Sequence, residues 1–535
     1  MNRARAAAEK NINNVTDVDK KGDVMKKLLL IAACFTVLLF SSCDFFKDLF
    51  GLDDDDTTVS QKGNFWATNL KTNRDYMLYA DLLASGVYCN VYVEKGCGIN
   101  EERAQEVADR YDNFIYPKMI DKFSLKDITD GDDYYANIMD VADALVGGDG
   151  KLCILLLDIK DGYNGVTNRS YVAGYFWMGN FFSKKQVSTS NHRAMIYIDT
   201  KPGMDSDKIE GTYSTLAHEM QHLMNFVTSV LVRTGVNSKG QSELYLMDTW
   251  VDEGLAAAAE WVYSGEYSED RIEWFKYSGA QNGSMKGLIN KGNNFFVWEN
   301  RSKESQYAVL DDYATVSLFF QWLRLQTNDN IYRSIITSED YDYNAVTNAF
   351  SQAYSKAFTW DELLKAWLAA NYINSPSGLY GYKNDEVLKD INIPAPSSIT
   401  NSIQLAPGEG VYSRMTPSTV TMPASSGNIR YASLSKQPLS VDNVAANGRV
   451  LLTYNVNTSF VFDDKNQTFS GGTGLAGLEN GITTGNPIIA NTVPAGRSAR
   501  SAFDGPYRIG AGDLQPISVE LLGGLNLRKG KNSDE

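Results

Sequence analysis

Histidine is nearly absent from this sequence, with three residues in 535, and cysteine is scarce, with five. Cys34 and Cys43 fall in an apolar N-terminal stretch. Cys89, Cys97 and Cys153 have no histidine near them in sequence. A thiol nucleophile paired with an imidazole is therefore not indicated, and no cysteine cluster has metal-binding spacing. Cys89 and Cys97 are near enough to close a short disulfide loop outside the cytoplasm, with Cys153 left over in the apolar run 152–157. Positive charge is also short: 50 Lys and Arg stand against 65 Asp and Glu, for a net charge of −15 and a pI near 4.9. That balance argues against nucleic acid or an anionic membrane surface as the main partner. With 43% hydrophobic and 21% charged residues, the chain is not of the disordered class. No internal repeat is strong enough to name, and the length suits about three domains.

What is present begins at the N-terminus. From Met25 the chain reads MKKLLLIAACFTVLLFSSC: two lysines, an apolar run, then small residues before Cys43. That is the layout of a secretory signal peptide, with translation expected to start at Met25 and residues 1–24 an upstream extension. The run Leu39–Cys43 resembles a bacterial lipobox, although Phe40 departs from the usual small or aliphatic residue at its place. Lipidation of Cys43 and export to a bacterial membrane follow as expectations, an uncleaved signal anchor being the alternative. Residues 44–62, with Asp53–Asp56, read as an acidic tether.

The body divides by pattern. Residues 63–210 read as mixed α/β, with a helix over 100–116 and strands over 86–94, 151–158, 173–178 and 194–199. The loops Asp130–Asp133 and Gly147–Gly150 have oxygen-rich turn chemistry without a full calcium loop. Residues 211–375 read as helical and end in an amphipathic helix over 354–373, where Trp360 and Trp367 form a core stripe. A Pro/Ser/Gly-rich linker over 376–400 leads to a β-rich domain over 401–535, sandwich-like from its short runs at 411–415, 428–434, 449–455, 459–463 and 517–522. The fold class is α+β.

Two of the three histidines stand in Leu216-Ala217-His218-Glu219-Met220-Gln221-His222. Four residues apart on a helix, His218 and His222 project from one face, the spacing two nitrogen ligands need to share a zinc ion. Glu219 lies beside them as a carboxylate able to take a proton from water. At this histidine frequency the pentad arises by chance in about one chain in a thousand. A catalytic zinc needs a third protein ligand. With no second histidine pair or cysteine cluster, a carboxylate must supply it. The stretch Asp248–Glu260 offers Glu253, near the start of an alanine-rich helix, and Glu260 two turns on along the same face. Glu253 is the preferred ligand, and Glu260 a second candidate or a partner behind the ligands. His192, in the loop 189–193, is a ligand only if that loop folds onto the helix.

H-E-x-x-H followed by W-x-x-E-G-L-A-x-x-x-E is similar to the gluzincin metallopeptidases. The run from Gly148 through Asp199 to His222 resembles their hyicolysin-type branch, the likeness covering roughly residues 80–375. The resemblance implies a zincin catalytic unit, Zn2+ held by His218, His222 and Glu253, Glu219 as general base, and protein or peptide substrates. The separation of His222 from Glu253 is longer than in other branches, and the loop 232–240 can absorb it. Of Tyr307 and Tyr313, which precede an apolar helix, Tyr313 is the expected oxyanion donor. A second reading of the same residues is a surface adhesin or binding lipoprotein with a structural or degenerate zinc site. Glu219 separates the two, because a structural zinc needs no adjacent base.

Overall fold

The computed structural model describes residues 62–124, 139, 142, 145–146, 148–168, 171–182, 184, 187–236, 242–277, 295–296, 308–393, 404–405, 407–414, 425, 427–442, 450–458 and the short pieces 461–463, 468–470, 473–474 and 517–518. The signal segment, Cys43, residues 44–61 of the acidic tether, the loop Asp130–Asp133 and Tyr307 lie outside the described residues, and the last tether residue, Lys62, is already in a strand.

The first half is built on a mixed six-stranded sheet in the order β1-β2-β3-β4-β6-β5. β1 (Lys62–Asn69), β2 (Arg74–Ser85) and β3 (Cys89–Glu94) are antiparallel neighbours. β3, β4 (Leu152–Leu157) and β6 (Met195–Asp199) run parallel, and β5 (Gly174–Phe176) closes the edge antiparallel to β6. All six residues of β4 are buried, so the strand is covered on both faces, which explains its unbroken apolar sequence. Cys153, Leu155 and Leu157 pack with Phe65, Leu78 and Tyr197 on one side. Ile154 and Leu156 join the main core on the other. The sheet curls until β1 reaches the far side: Trp66 O accepts a hydrogen bond from the Tyr197 hydroxyl at 3.2 Å. Cys89, Cys97 and Cys153 are separate thiols.

Helix α1 (Glu101–Arg110) starts where the Asn100 side chain accepts from Arg103 N. It runs through a π-helical turn at Tyr111–Ile115 into α2 (Tyr116–Phe123), past the expected end at 116. β6 leads into α3 (Ile209–Val232), a 24-residue helix buried along most of its length. The expected loop after it contains a small hairpin, β7 (Thr234–Val236) and β8 (Ser242–Leu244). Then follow α4 (Thr249–Ser264), α5 (Glu269–Tyr277), α6 (Ala308–Gln326), α7 (Ile331–Ile336), α8 (Tyr343–Tyr354) and α9 (Trp360–Ile373). The single helix expected over 354–373 is therefore two elements. α8 ends at Ser355 with φ of 56°, and α9 restarts with a capping box between Thr359 and Glu362. Trp360 and Trp367 are core: their rings lie 5.7 Å from Trp250 and 5.3 Å from Phe319, respectively.

After α9 the chain folds back. Asn374 donates to Leu388 O and Ile391 O, and Tyr382, Leu388, Ile391 and Ile393 are buried in the main core. A two-residue strand β9 (Gln404–Leu405) precedes β10 (Gly410–Arg414), β11 (Ile429–Lys436), β12 (Leu439–Val441) and β13 (Val450–Asn455). The last four form an all-antiparallel sheet in the order β10-β13-β11-β12. It packs on α9: Tyr412 donates to Leu368 O and Tyr454 to Asp361 Oδ1, both at 2.7 Å. The fold is α+β.

Candidate metal centre

The site forms where α3 crosses α4. His218 and His222 share one face of α3 with ring centroids 4.8 Å apart. α4 brings Glu253 against them. Its Oε2 lies 3.4 Å from His218 Nε2 and 3.7 Å from His222 Nε2, and one donor atom from each residue falls within 4.8 Å of the others. Close approach depends on small residues. A Cβ on Gly254 would stand 2.2 Å from the Phe320 ring of α6, so the glycine after Glu253 lets α4 and α6 meet. One turn before His218 on α3, a Cβ on Gly174 would stand 2.8 Å from Thr215 Cγ2, so α3 presses closely on β5.

These residues fit a metal. Glu253 Oε2 is buried and makes no hydrogen bond, although it faces two imidazole nitrogens. A buried carboxylate oxygen left so is costly unless a cation meets it. Two imidazole nitrogens and one carboxylate oxygen are a zinc-type donor set. Among the described residues this is the one trio of metal-binding side chains that converges.

A second layer aims the ligands. His218 Nδ1 lies 2.7 Å from Glu260 Oε1, which also accepts from Arg271 Nη2 at 2.7 Å. His222 Nδ1 lies 2.9 Å from Asp252 Oδ2, and Asn225 Nδ2 donates to Asp252 Oδ1 at 2.5 Å. Each ring thus turns its Nδ1 to a carboxylate and its Nε2 inward, where the neutral imidazole would offer a lone pair to a metal. Tyr313, on α6, donates to Glu253 Oε1 at 3.2 Å.

The electrostatics favour a cation. Burial opposes charge on His218, but Glu253 and Glu260 hold its imidazole up to about 10. Burial likewise opposes charge on His222, and Asp252 and Glu253 hold it up to about 9. Burial pushes the Glu253 carboxyl up, yet His222, His218 and the Tyr313 hydroxyl bring it below the usual range. Glu219 goes the other way: burial raises its carboxyl despite both imidazoles. It accepts a hydrogen bond from the backbone of Phe176 on β5, which places it between the metal trio and the sheet edge.

Of the residues singled out from sequence, His218, Glu219, His222, Glu253, Glu260 and Tyr313 come together. Glu260 stands behind His218, outside the trio. His192 is not part of the trio; it sits before β6 with φ of 49°, its N–H donating to Ser190 Oγ. Sequence reasoning missed Asp252, Asn225, Arg233 and Arg271. Asp252 had a signal, since it adjoins Glu253 in the same helical turn. Arg271 lies on another helix, and no spacing pointed to it.

No family model matches the chain. The chain is similar to the neutral metalloprotease ShpI of Staphylococcus hyicus, 29% identical over 339 residues, which are 62% of this chain and 67% of that protein. The similarity supports a metalloprotease family, and the His218, His222 and Glu253 trio is placed to bind a metal.

Proposed function

We propose that this protein is an exported zinc endopeptidase of the gluzincin type, tethered to a bacterial membrane by lipid on Cys43. The observation that carries the reading is the bare Oε2 of Glu253 facing two inward imidazole nitrogens, with Glu219 beside them. His218, His222 and Glu253 hold the ion. Zinc bound there supplies Lewis acidity toward water and toward the scissile carbonyl.

Glu219 accepts the proton of the attacking water and returns it to the leaving amine. Its raised carboxyl pKa suits the first of these transfers, because a stronger base takes the water's proton more readily. Glu260 and Asp252 keep the imidazoles in the tautomer that presents Nε2. Tyr313 supplies a hydroxyl for the developing oxyanion, and in the free enzyme that hydroxyl rests on Glu253. β5 has no strand partner on its outer edge among the described residues. An extended peptide adding there would lie beside Glu219.

The test is hydrolysis of a mixed peptide library by wild type and Glu219→Ala, with and without chelator. Wild type is expected to cleave and lose activity with chelator. Glu219→Ala is expected to keep stoichiometric zinc while activity falls by at least a hundredfold, the scale of a lost general base. Equal inertness of both zinc-loaded forms would favour a structural zinc. The tether has its own test. Cys43→Ser should move the protein from the membrane to the soluble fraction, and unchanged membrane partition would remove the lipid anchor from the proposal.

A further inference from the structure

Behind His222 a stripe of buried polar residues runs down α3 to its C-terminal end. His222, Asn225, Ser229 and Arg233 succeed one another at steps of three and four residues, so they share one helical face. All four are buried, as is Asp252 opposite them on α4. Arg233 caps α3. Its Nη1 donates to Ile336 O at 2.9 Å and Ser338 O at 2.8 Å, and its Nη2 donates to Asn225 Oδ1 at 2.9 Å and Ser229 Oγ at 2.9 Å. Asn225 passes the connection on through Nδ2 to Asp252 Oδ1. Asp252 Oδ2 then faces His222 Nδ1 at 2.9 Å.

We infer that Asn225 and Arg233 are positioning residues for the second histidine: a chain Arg233 to Asn225 to Asp252 holds the His222 ring with Nε2 aimed at Glu253. This rests on the zinc-site reading of His222. The chemistry of the chain admits one orientation. A guanidinium only donates, so the side-chain oxygen of Asn225 must face Arg233. Its NH2 is thereby turned to Asp252, whose carboxylate accepts from Asn225 on Oδ1 and sets Oδ2 2.9 Å from His222 Nδ1. Arg233 makes no direct ion pair with Asp252; the Asn225 amide dipole lies between them, its negative end on the cation and its positive end on the anion. The anchor is rigid because Arg233 also ties α3 to the last residue of α7 and to Ser338 beyond it through two backbone carbonyls. His218 has a different support, Glu260 with Arg271, so the two imidazoles are aimed by independent chains.

The inference is tested by zinc competition titration against a chromophoric chelator and by the visible spectrum of the cobalt-substituted full-length protein. Asn225→Leu removes both amide hydrogen bonds and should weaken zinc binding ten- to a hundredfold and shift the cobalt bands, with the far-UV circular dichroism unchanged. Ser229→Ala removes a contact to Arg233 without touching the Asn225 link to Asp252, and should leave zinc affinity within about twofold. Were Asn225→Leu to misfold, Asn225→Ser, too short to bridge Arg233 and Asp252, should show the same loss. Unchanged zinc affinity and cobalt spectrum in a folded Asn225 variant would overturn the inference, as would an equal loss in Ser229→Ala. If wild type and His222→Ala bind zinc equally poorly, the zinc-site reading itself fails, a result distinct from either.

Discussion

Glu253 and Glu260 stand seven residues apart on α4 and do different work. Glu253 places a bare oxygen before both Nε2 atoms, whereas Glu260 holds the outer nitrogen of His218 and is itself held by Arg271. Removing the first deletes a ligand; removing the second loosens one. Glu253→Ala is expected to abolish stoichiometric zinc, while Glu260→Ala should retain it with affinity lowered ten- to a hundredfold. Metal analysis after dialysis separates the two, and equal or reversed losses would show that the wrong carboxylate has been assigned. At this scale the sequence was informative where chemistry is local. The i, i+4 pair and the glutamate between them were legible because one helix holds them all. The choice of Glu253 over Glu260 was harder, since both lie on the same face of α4 and only the crossing with α3 tells them apart. Asp252, Asn225 and Arg233 escaped because their meaning lies in contacts across elements.

Among elements, the alanine-rich α4 shows why small residues follow the ligand. Gly254 faces the Phe320 ring, and Phe320 is fully buried beside Phe319 and Trp250, so it has little room to yield. Gly254→Ala gains helix propensity by roughly 1 kcal/mol, yet forces a Cβ into that ring. Overpacking of this kind costs about 1–3 kcal/mol, and the clash should prevail. Urea denaturation should show a net loss of stability, and a more stable variant would mean that Phe320 moves aside freely. Element boundaries were the least legible part. The hairpin β1–β2 was not read as two strands, because its burial follows the curl of the sheet and β2 alternates cleanly only in part. The break between α8 and α9 was overlooked because apolar spacing continues across it, although Thr359 and Glu362 carry a cap signature.

For the whole molecule, stability should carry the mark of Asp199, which ends β6 just before the turn into α3. Its carboxylate accepts from Ile159 N and Gly203 N, but burial outweighs those bonds and raises its pKa to about 7. The unfolded value is about 3.9, so the folded state holds this proton more tightly. Its contribution is fully present below about pH 4 and is lost as pH rises through about 7. Asp199→Asn cannot lose that proton. The stability difference between wild type and variant should therefore shift against wild type by roughly 4 kcal/mol between pH 4 and 8. Unfolding free energies across that range test it, and parallel profiles would show that Asp199 is charged throughout.

By itself the sequence determined the chemistry that lies within single elements: a histidine pair at helical spacing around a glutamate, a fully buried strand at 152–157, a glutamate helix downstream and an α+β order of segments. Those follow from local periodicity and side-chain type, which a linear string carries completely. Only the tertiary structure decided which carboxylate joins the two imidazoles, what stands behind each imidazole, and that β5 is the sheet edge beside Glu219. These depend on the crossing of α3 with α4, the close approach that Gly254 and Gly174 permit, and the curl of the sheet, and such contacts have no fixed separation along the chain.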